Sequence, residues 1–174
     1  MDSGRKLRVM VDANILFAAS YSPRFPYALL RHAAAGDFQL VLTPMIIHEA
    51  REALAEVAPK AIPRFDDLLA ALGYELAPSP SEQRLQAHSD LVRDPDDIHV
   101  ALGAIDAEVD YLVTQDRDFT DRNPATQTLH ELLNIVLPGT FLRNHLGWSS
   151  EDLEAIRSRT WADIDTYPSS PIFE

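Results

Sequence analysis

The chain has no cysteine among its 174 residues. Disulfides, thiolate zinc sites and cysteine nucleophiles are excluded together. Long apolar runs are also missing, since none approaches the roughly 18 residues needed to span a bilayer. The opening stretch MDSGRKLRVMVDANILFAAS sets a basic segment before an apolar one, as a secretion signal does. Asp12 and Asn14 interrupt its apolar part, so the expectation is a cytoplasmic chain with no membrane segment. Lysine is scarce, with Lys6 and Lys60 the only two. Positive charge is short overall: 15 Lys and Arg stand against 27 Asp and Glu, a formal net charge of −12. This balance argues against a nucleic-acid binder that relies on a broadly basic surface. One exception remains, because a site whose carboxylates bind divalent cations looks acidic in a count that omits the metal. A solvated surface accounts for most of the excess.

What is present is ordinary for a globular domain: 46% hydrophobic and 24% charged residues, and enough length for one core. No internal repeat or low-complexity tract stands out. Strands and helices alternate. LRVMVDA, FQLVLT and DYLVT read as buried strands, with YELA and IVL as shorter ones. Helical spacing runs from Pro26 to Ala35 and stops at Gly36. Thr43 before Pro44 starts a helix that reaches about Val57. A further helix covers Arg64 to Leu72. Ser79 and Glu82 form a capping-box pattern for a helix over Pro80 to Val92. Asp97 to Ala107 is helical, with Ile98, Ala101, Leu102 and Ile105 on one face. Asp116 to Gln127 reads as a polar loop, Thr140 to Leu146 as a short helix, and Ser149 with Asp152 as the start of a last helix ending near Arg159. The tail from Trp161 to Glu174 reads as irregular. Such alternation implies an α/β fold with a mainly parallel sheet covered on both faces. Ligands in these folds bind outside the carboxyl ends of the strands.

Acids stand where that rule points. Asp12 ends the first strand. Asp116 lies just past DYLVT, with Asp118 behind it. Glu49 sits early in the helix after the second strand, beside its apolar face. Asp97 opens the helix before DYLVT, within the cluster Asp94, Asp96 and Asp97. Each has a plain structural alternative: Asp12, Asp96 and Asp97 as helix caps, Asp116 and Asp118 as turn residues, Glu49 as a solvated charge. Together they are harder to dismiss, because packed carboxylates repel unless a cation lies among them. Mg²⁺ and Mn²⁺ favour such oxygen ligands and serve phosphate chemistry.

The segments VMVDANIL, LTPMIIHEAREAL, DPDDIHVALGAI and DYLVTQDRDF, in this order and over roughly Leu7 to Leu137, resemble the PIN-domain ribonucleases. Within that family the chain resembles the toxin-like branch of toxin–antitoxin systems. The resemblance implies a Rossmann-like three-layer α/β/α sandwich and Mg²⁺- or Mn²⁺-dependent cleavage of RNA. It also implies an antitoxin protein partner and a homodimer. It assigns the metal-binding and catalytic acids to Asp12, Glu49, Asp97 and Asp116. Asn14 and Thr114 become polar supports, Asp118 an added ligand, and Asp96 a competitor of Asp97 for the third position. The nuclease domain would span residues 1–147. Residues 148–174 would form a C-terminal helix and irregular tail, either part of the same domain or an interaction appendage. Gln115 departs from the family, which often has glycine there. Arg24, Arg31, Arg51, Arg93, Arg117 and Arg122 are candidates for phosphate contact.

Other classes compete. A phosphatase of the haloacid dehalogenase type needs a second Asp two residues after the first, where this chain has Asn14, and a lysine later in the chain, for which Lys6 and Lys60 are both poorly placed. A receiver domain fails for want of the same lysine. A catalytically weak binding module acting through a protein partner is the remaining alternative. The six histidines contain no HExxH pattern; His48 and His99 read as surface groups or outer neighbours of the acids.

Overall fold

A computed structural model of the protein describes residues 4–164. Its architecture is organised by the strand Arg8–Val11 (β1), in which Val9, Met10 and Val11 are all fully buried. Successive strand side chains point to opposite faces, so both faces of the sheet are covered. On one side β1 pairs with Gln39–Leu42 (β2), setting Val9 opposite Leu40. On the other it pairs with Tyr111–Val113 (β4), setting Val11 opposite Val113. Glu75–Leu76 (β3) lies outside β2, and Ile135–Val136 (β5) lies outside β4. The order is β3-β2-β1-β4-β5 and every pairing is parallel. The expected α/β/α sandwich is the observed one. Chain order runs outward from β1 in one direction and resumes at β4 in the other, so the crevice of this sheet opens between the carboxyl ends of β1 and β4.

The helices are Ala13–Tyr21 (α1), Phe25–Ala34 (α2), Pro44–Val57 (α3), Ile62–Ala71 (α4), Glu82–Ala87 (α5) and Ile98–Asp106 (α6). They continue as Arg117–Thr120 (α7), Gln127–Leu132 (α8), Pro138–His145 (α9) and Ser150–Ile156 (α10). Several follow the expected signals closely. Thr43 accepts a hydrogen bond from the Ile46 amide at 3.3 Å, with Pro44 at the first helical position. Ser149 and Asp152 form a reciprocal capping box at α10. Gly36, with φ +85°, follows α2 in a left-handed conformation that other residues adopt at a cost.

Other expectations need correction. The first strand does not continue through Ala13; it stops at Val11, and α1 starts at once. The sequence ANILFAASY shows no clean helical stripe because α1 packs against α2, α3 and α4 together. A helix surrounded by neighbours is apolar on most sides. The helix expected over Pro80 to Val92 is only α5. Its cap is Ser81, which accepts from the Arg84 amide at 3.2 Å, while the Ser79 hydroxyl accepts from the Met45 amide at 3.1 Å instead. The loop from Asp116 to Gln127 contains α7 and a 3₁₀ turn over Pro124–Thr126, and α8 follows directly. In these segments side-chain caps create turns that periodicity does not reveal.

The C-terminal segments lie against the first helices. Leu153 and Ile156 of α10 cluster with Ala28 of α2 and Leu142 of α9. Trp161 sits in a 3₁₀ turn, Trp161–Asp163, and is ordered against its neighbours. Its ring meets Tyr27 edge-on at 5.1 Å, the Arg64 guanidinium lies 3.8 Å from the ring centre, and its indole N–H donates to the Tyr21 carbonyl. The part of the expected irregular tail beyond Ile164 lies outside the described residues. Among the described residues no helix is long and apolar enough to cross a membrane.

Phe141 anchors α9. It is fully buried and meets Phe38 at 5.4 Å and Tyr111 at 5.7 Å, both edge-on. Phe141→Ala should destabilise the fold by about 3–5 kcal/mol in urea unfolding, through lost burial and the cavity left behind. A loss below about 1 kcal/mol would show that α9 is not anchored there.

Candidate metal centre

The centre begins one residue beyond β1. Asp12 has an extended backbone and caps α1, its Oδ1 accepting from the Ile15 amide at 3.0 Å. Its Oδ2 accepts from the Thr114 hydroxyl at 2.5 Å. The cap and the candidate ligand are therefore the same carboxylate. Asp12 is 4% exposed. Burial raises its pKa to about 6, against the lowering effect of the Thr114 and Ile15 bonds, and the nearby charge of Asp116 adds to the rise.

Thr114 follows β4 and is fully buried. Its hydroxyl donates to Asp12 and accepts from the Asp116 amide at 3.0 Å. One side chain thus links the ends of the two central strands. Asp116 caps α7, its Oδ1 accepting from the Asp118 amide at 2.9 Å. Asp97 stands where a 3₁₀ turn, Pro95–Asp97, runs into α6. It makes no side-chain cap bond, so the plain cap reading does not describe it. It is half-buried, and its Oδ2 is enclosed with no hydrogen-bond partner. Burial raises its pKa to about 7, with further contributions from the charges of Asp116, Asp94 and Asp12 and a hydrogen bond with Asp116.

Asp12, Asp97 and Asp116 therefore act on one another from three separate segments. Asp118 joins them from α7: one oxygen each of Asp94, Asp97 and Asp118 lies within 4.8 Å of the others. Asp96 is exposed, and the charges acting on Asp97 come from its other neighbours. Asn14 is exposed in the first turn of α1. Glu49, on α3, pairs with His99 of α6 through a 2.7 Å contact between Oε1 and Nε2. His99 is 3% exposed, so it is not the surface group one reading of it expected. Its Nδ1 has no partner.

The sequence reading sets Asp94 in the acid cluster around Asp97 and His99 as a surface group or outer neighbour of the acids, without giving either a role in the site. Asp94 enters because its Oδ1 caps the turn at the Asp96 amide, which turns the chain back toward Asp97. The signal for His99 was its place in an otherwise apolar helix, where every residue from Ile98 to Ala104 is buried.

The donors are all carboxylate oxygens, and the cation nearest them by ion-pair distance is Arg93, at 3.7 Å from Asp118 and largely exposed. An enclosed oxygen without a partner, amid like charges, is what a hard divalent cation would relieve. The residues present fit Mg²⁺ or Mn²⁺.

Comparison with known proteins agrees with this geometry. The family model for the PIN domain matches residues 8–118. The chain belongs to the PIN-domain family. The match takes in the first three motif segments and the fourth up to Asp118, short of the Leu137 limit suggested by the resemblance. Among solved structures, PAE2754 from Pyrobaculum aerophilum aligns with a TM-score of 0.56 and 20% identity, over 84% of this chain and 95% of that one. At that identity the likeness speaks for the fold alone. No curated protein matches the chain. PIN domains are generally nucleases and typically use a divalent metal.

The raised carboxylate pKa values predict a pH dependence. An unfolded Asp titrates near pH 4, whereas Asp12 and Asp97 titrate near 6 and 7 in the fold. The folded state thus binds more protons between these values, and metal-free stability falls as pH rises from about 4 to 7. In chelator, the melting temperature should carry a contribution that favours pH 5 over pH 7.5, and Asp97→Asn should reduce it. An identical pH profile for wild type and variant would contradict the crowding of these acids.

Proposed function

We propose that this PIN domain is a Mg²⁺- or Mn²⁺-dependent endoribonuclease and the toxin of a toxin–antitoxin pair. The observation that carries the reading is the mutual approach of Asp12, Asp97 and Asp116, with an oxygen of Asp97 enclosed and unpartnered. In this reading Asp12, Asp97 and Asp116 hold the cation, with Asp118 and Asp94 beside them. What the cation supplies when bound is neutralisation of phosphodiester charge and a more acidic water.

The protein's own groups do the rest. The Thr114 hydroxyl and the Ile15 amide each hold one oxygen of Asp12, fixing the plane of that carboxylate. Thr114 at the same time holds the Asp116 backbone, so the two acids keep their spacing. Glu49 is oriented by His99 through Oε1. Its Oε2 is then the group to accept a proton from the attacking water, the role of a general base. With Nε2–H of His99 donating, Oε1 of Glu49 is the acceptor and Oε2 is left for the water.

RNA as substrate, an antitoxin protein as inhibitor, a homodimeric state and a cytoplasmic location all extend the family resemblance of the four motif segments. The matched family and the intact acids support a working nuclease over a degenerate binding module. The test is incubation of the protein with tRNA and total RNA in Mn²⁺. Wild type should cut, and Asp12→Asn and Asp97→Asn should each lose at least about 100-fold in rate while melting cooperatively. Cleavage by either variant at the wild-type rate would refute the assignment.

A further inference from the structure

A cleft of about 350 Å³ lies at the carboxyl ends of β4 and β5, reached by Gln115 and Leu137, which follow those strands. It is lined by Gln115, Leu137, Arg143 and Arg157, with Phe25 and Leu153 on its apolar side. Gln115 stands between Thr114 and Asp116, so the cleft starts one residue from the candidate ligands. Leu137 directly follows β5 and is 46% exposed, a large apolar side chain at the carboxyl edge of the sheet. The ring of Phe25 packs against Gly139 so closely that an added Cβ there would stand 3.4 Å from it.

The guanidinium groups of Arg5, Arg8, Arg51 and Arg84 each pair with a carboxylate at 2.6 Å or less. Arg143 is exposed and has no ion pair with any described residue. Arg157 is shared between Glu154, at 2.8 Å, and the face of Phe25, 5.5 Å from the ring centre. A chain of net charge −12 thus keeps an unpaired guanidinium, that of Arg143, on the rim of this cleft. None of the six arginines expected from the sequence to contact phosphate lines this cleft. An apolar floor with cations on its rim matches a nucleobase and its phosphate. The volume suits a single nucleotide rather than a folded partner segment.

We propose that this cleft binds one nucleotide of single-stranded RNA next to the cleavage position, with its base on the Phe25, Leu137 and Leu153 side and its phosphate at Arg143 and Arg157. The proposal rests on the ribonuclease reading.

Cleavage of a fluorescein-labelled oligouridylate in Mn²⁺ tests it, with Arg143→Glu and Leu137→Ser as exposed-site variants whose melting temperatures verify the fold. Arg143→Glu should raise KM about tenfold with kcat within about twofold. The slope of log KM against log salt should fall by about one. Leu137→Ser should raise KM for oligouridylate but not for a chain with an abasic unit at the flanking position. If wild type cuts RNA and Arg143→Glu keeps its KM, the cleft proposal fails and the ribonuclease reading stands. If wild type cuts no RNA, both fail. If polyglutamate inhibits wild type but not Arg143→Glu, and does so as tightly as RNA binds, the cleft serves an acidic protein segment and the nucleotide assignment is overturned.

Discussion

Repulsion among carboxylates held at the ends of two adjacent strands is the constraint around which this structure is arranged. Two unit charges roughly 4 Å apart cost about 4 kcal/mol at an effective dielectric of about 20. The fold does not let the charges separate. Asp12 is fixed by the end of the most buried strand and by its own capping bond to α1. Asp116 is fixed by the cap of α7, and Asp97 by the turn that enters α6. Thr114 ties the first two together. Protonation relieves the strain in the absence of metal, and a divalent cation would relieve it at neutral pH.

The same arrangement explains why backbone and site are hard to separate. The carboxylate of Asp12 completes a helix terminus as well as facing the other acids. Reading it as a cap or as a site residue is therefore a false choice. Asp97 differs, since it gives up the capping bond open to a residue at that position and keeps an oxygen free. A residue that forgoes local stabilisation for an enclosed, unpaired oxygen is a stronger functional signal than one that does both.

Much of this was legible in the sequence, for specific reasons. The buried strands were readable because both faces of a parallel sheet demand continuous apolar runs, as in RVMV and QLVL. The strand-end rule then located Asp12 and Asp116, and the family resemblance added Thr114. Helix α1 was not legible, because burial on several sides removes the periodic stripe by which a helix is recognised. Asp94 and the His99–Glu49 pair depend on a 3₁₀ turn and on the inward face of α6, neither of which spacing alone resolves. The cleft was the least visible feature. Phe25, Arg143 and Arg157 lie far apart in the chain and meet only because α9 and α10 fold back onto α2.

The central claim is that the clustered aspartates are a cation site. Crystals grown with Mn²⁺ and measured at the manganese absorption edge test it most directly. The account predicts an anomalous peak among the carboxylates of Asp12, Asp97 and Asp116. Full Mn²⁺ occupancy elsewhere on the protein with none between these three side chains would contradict it.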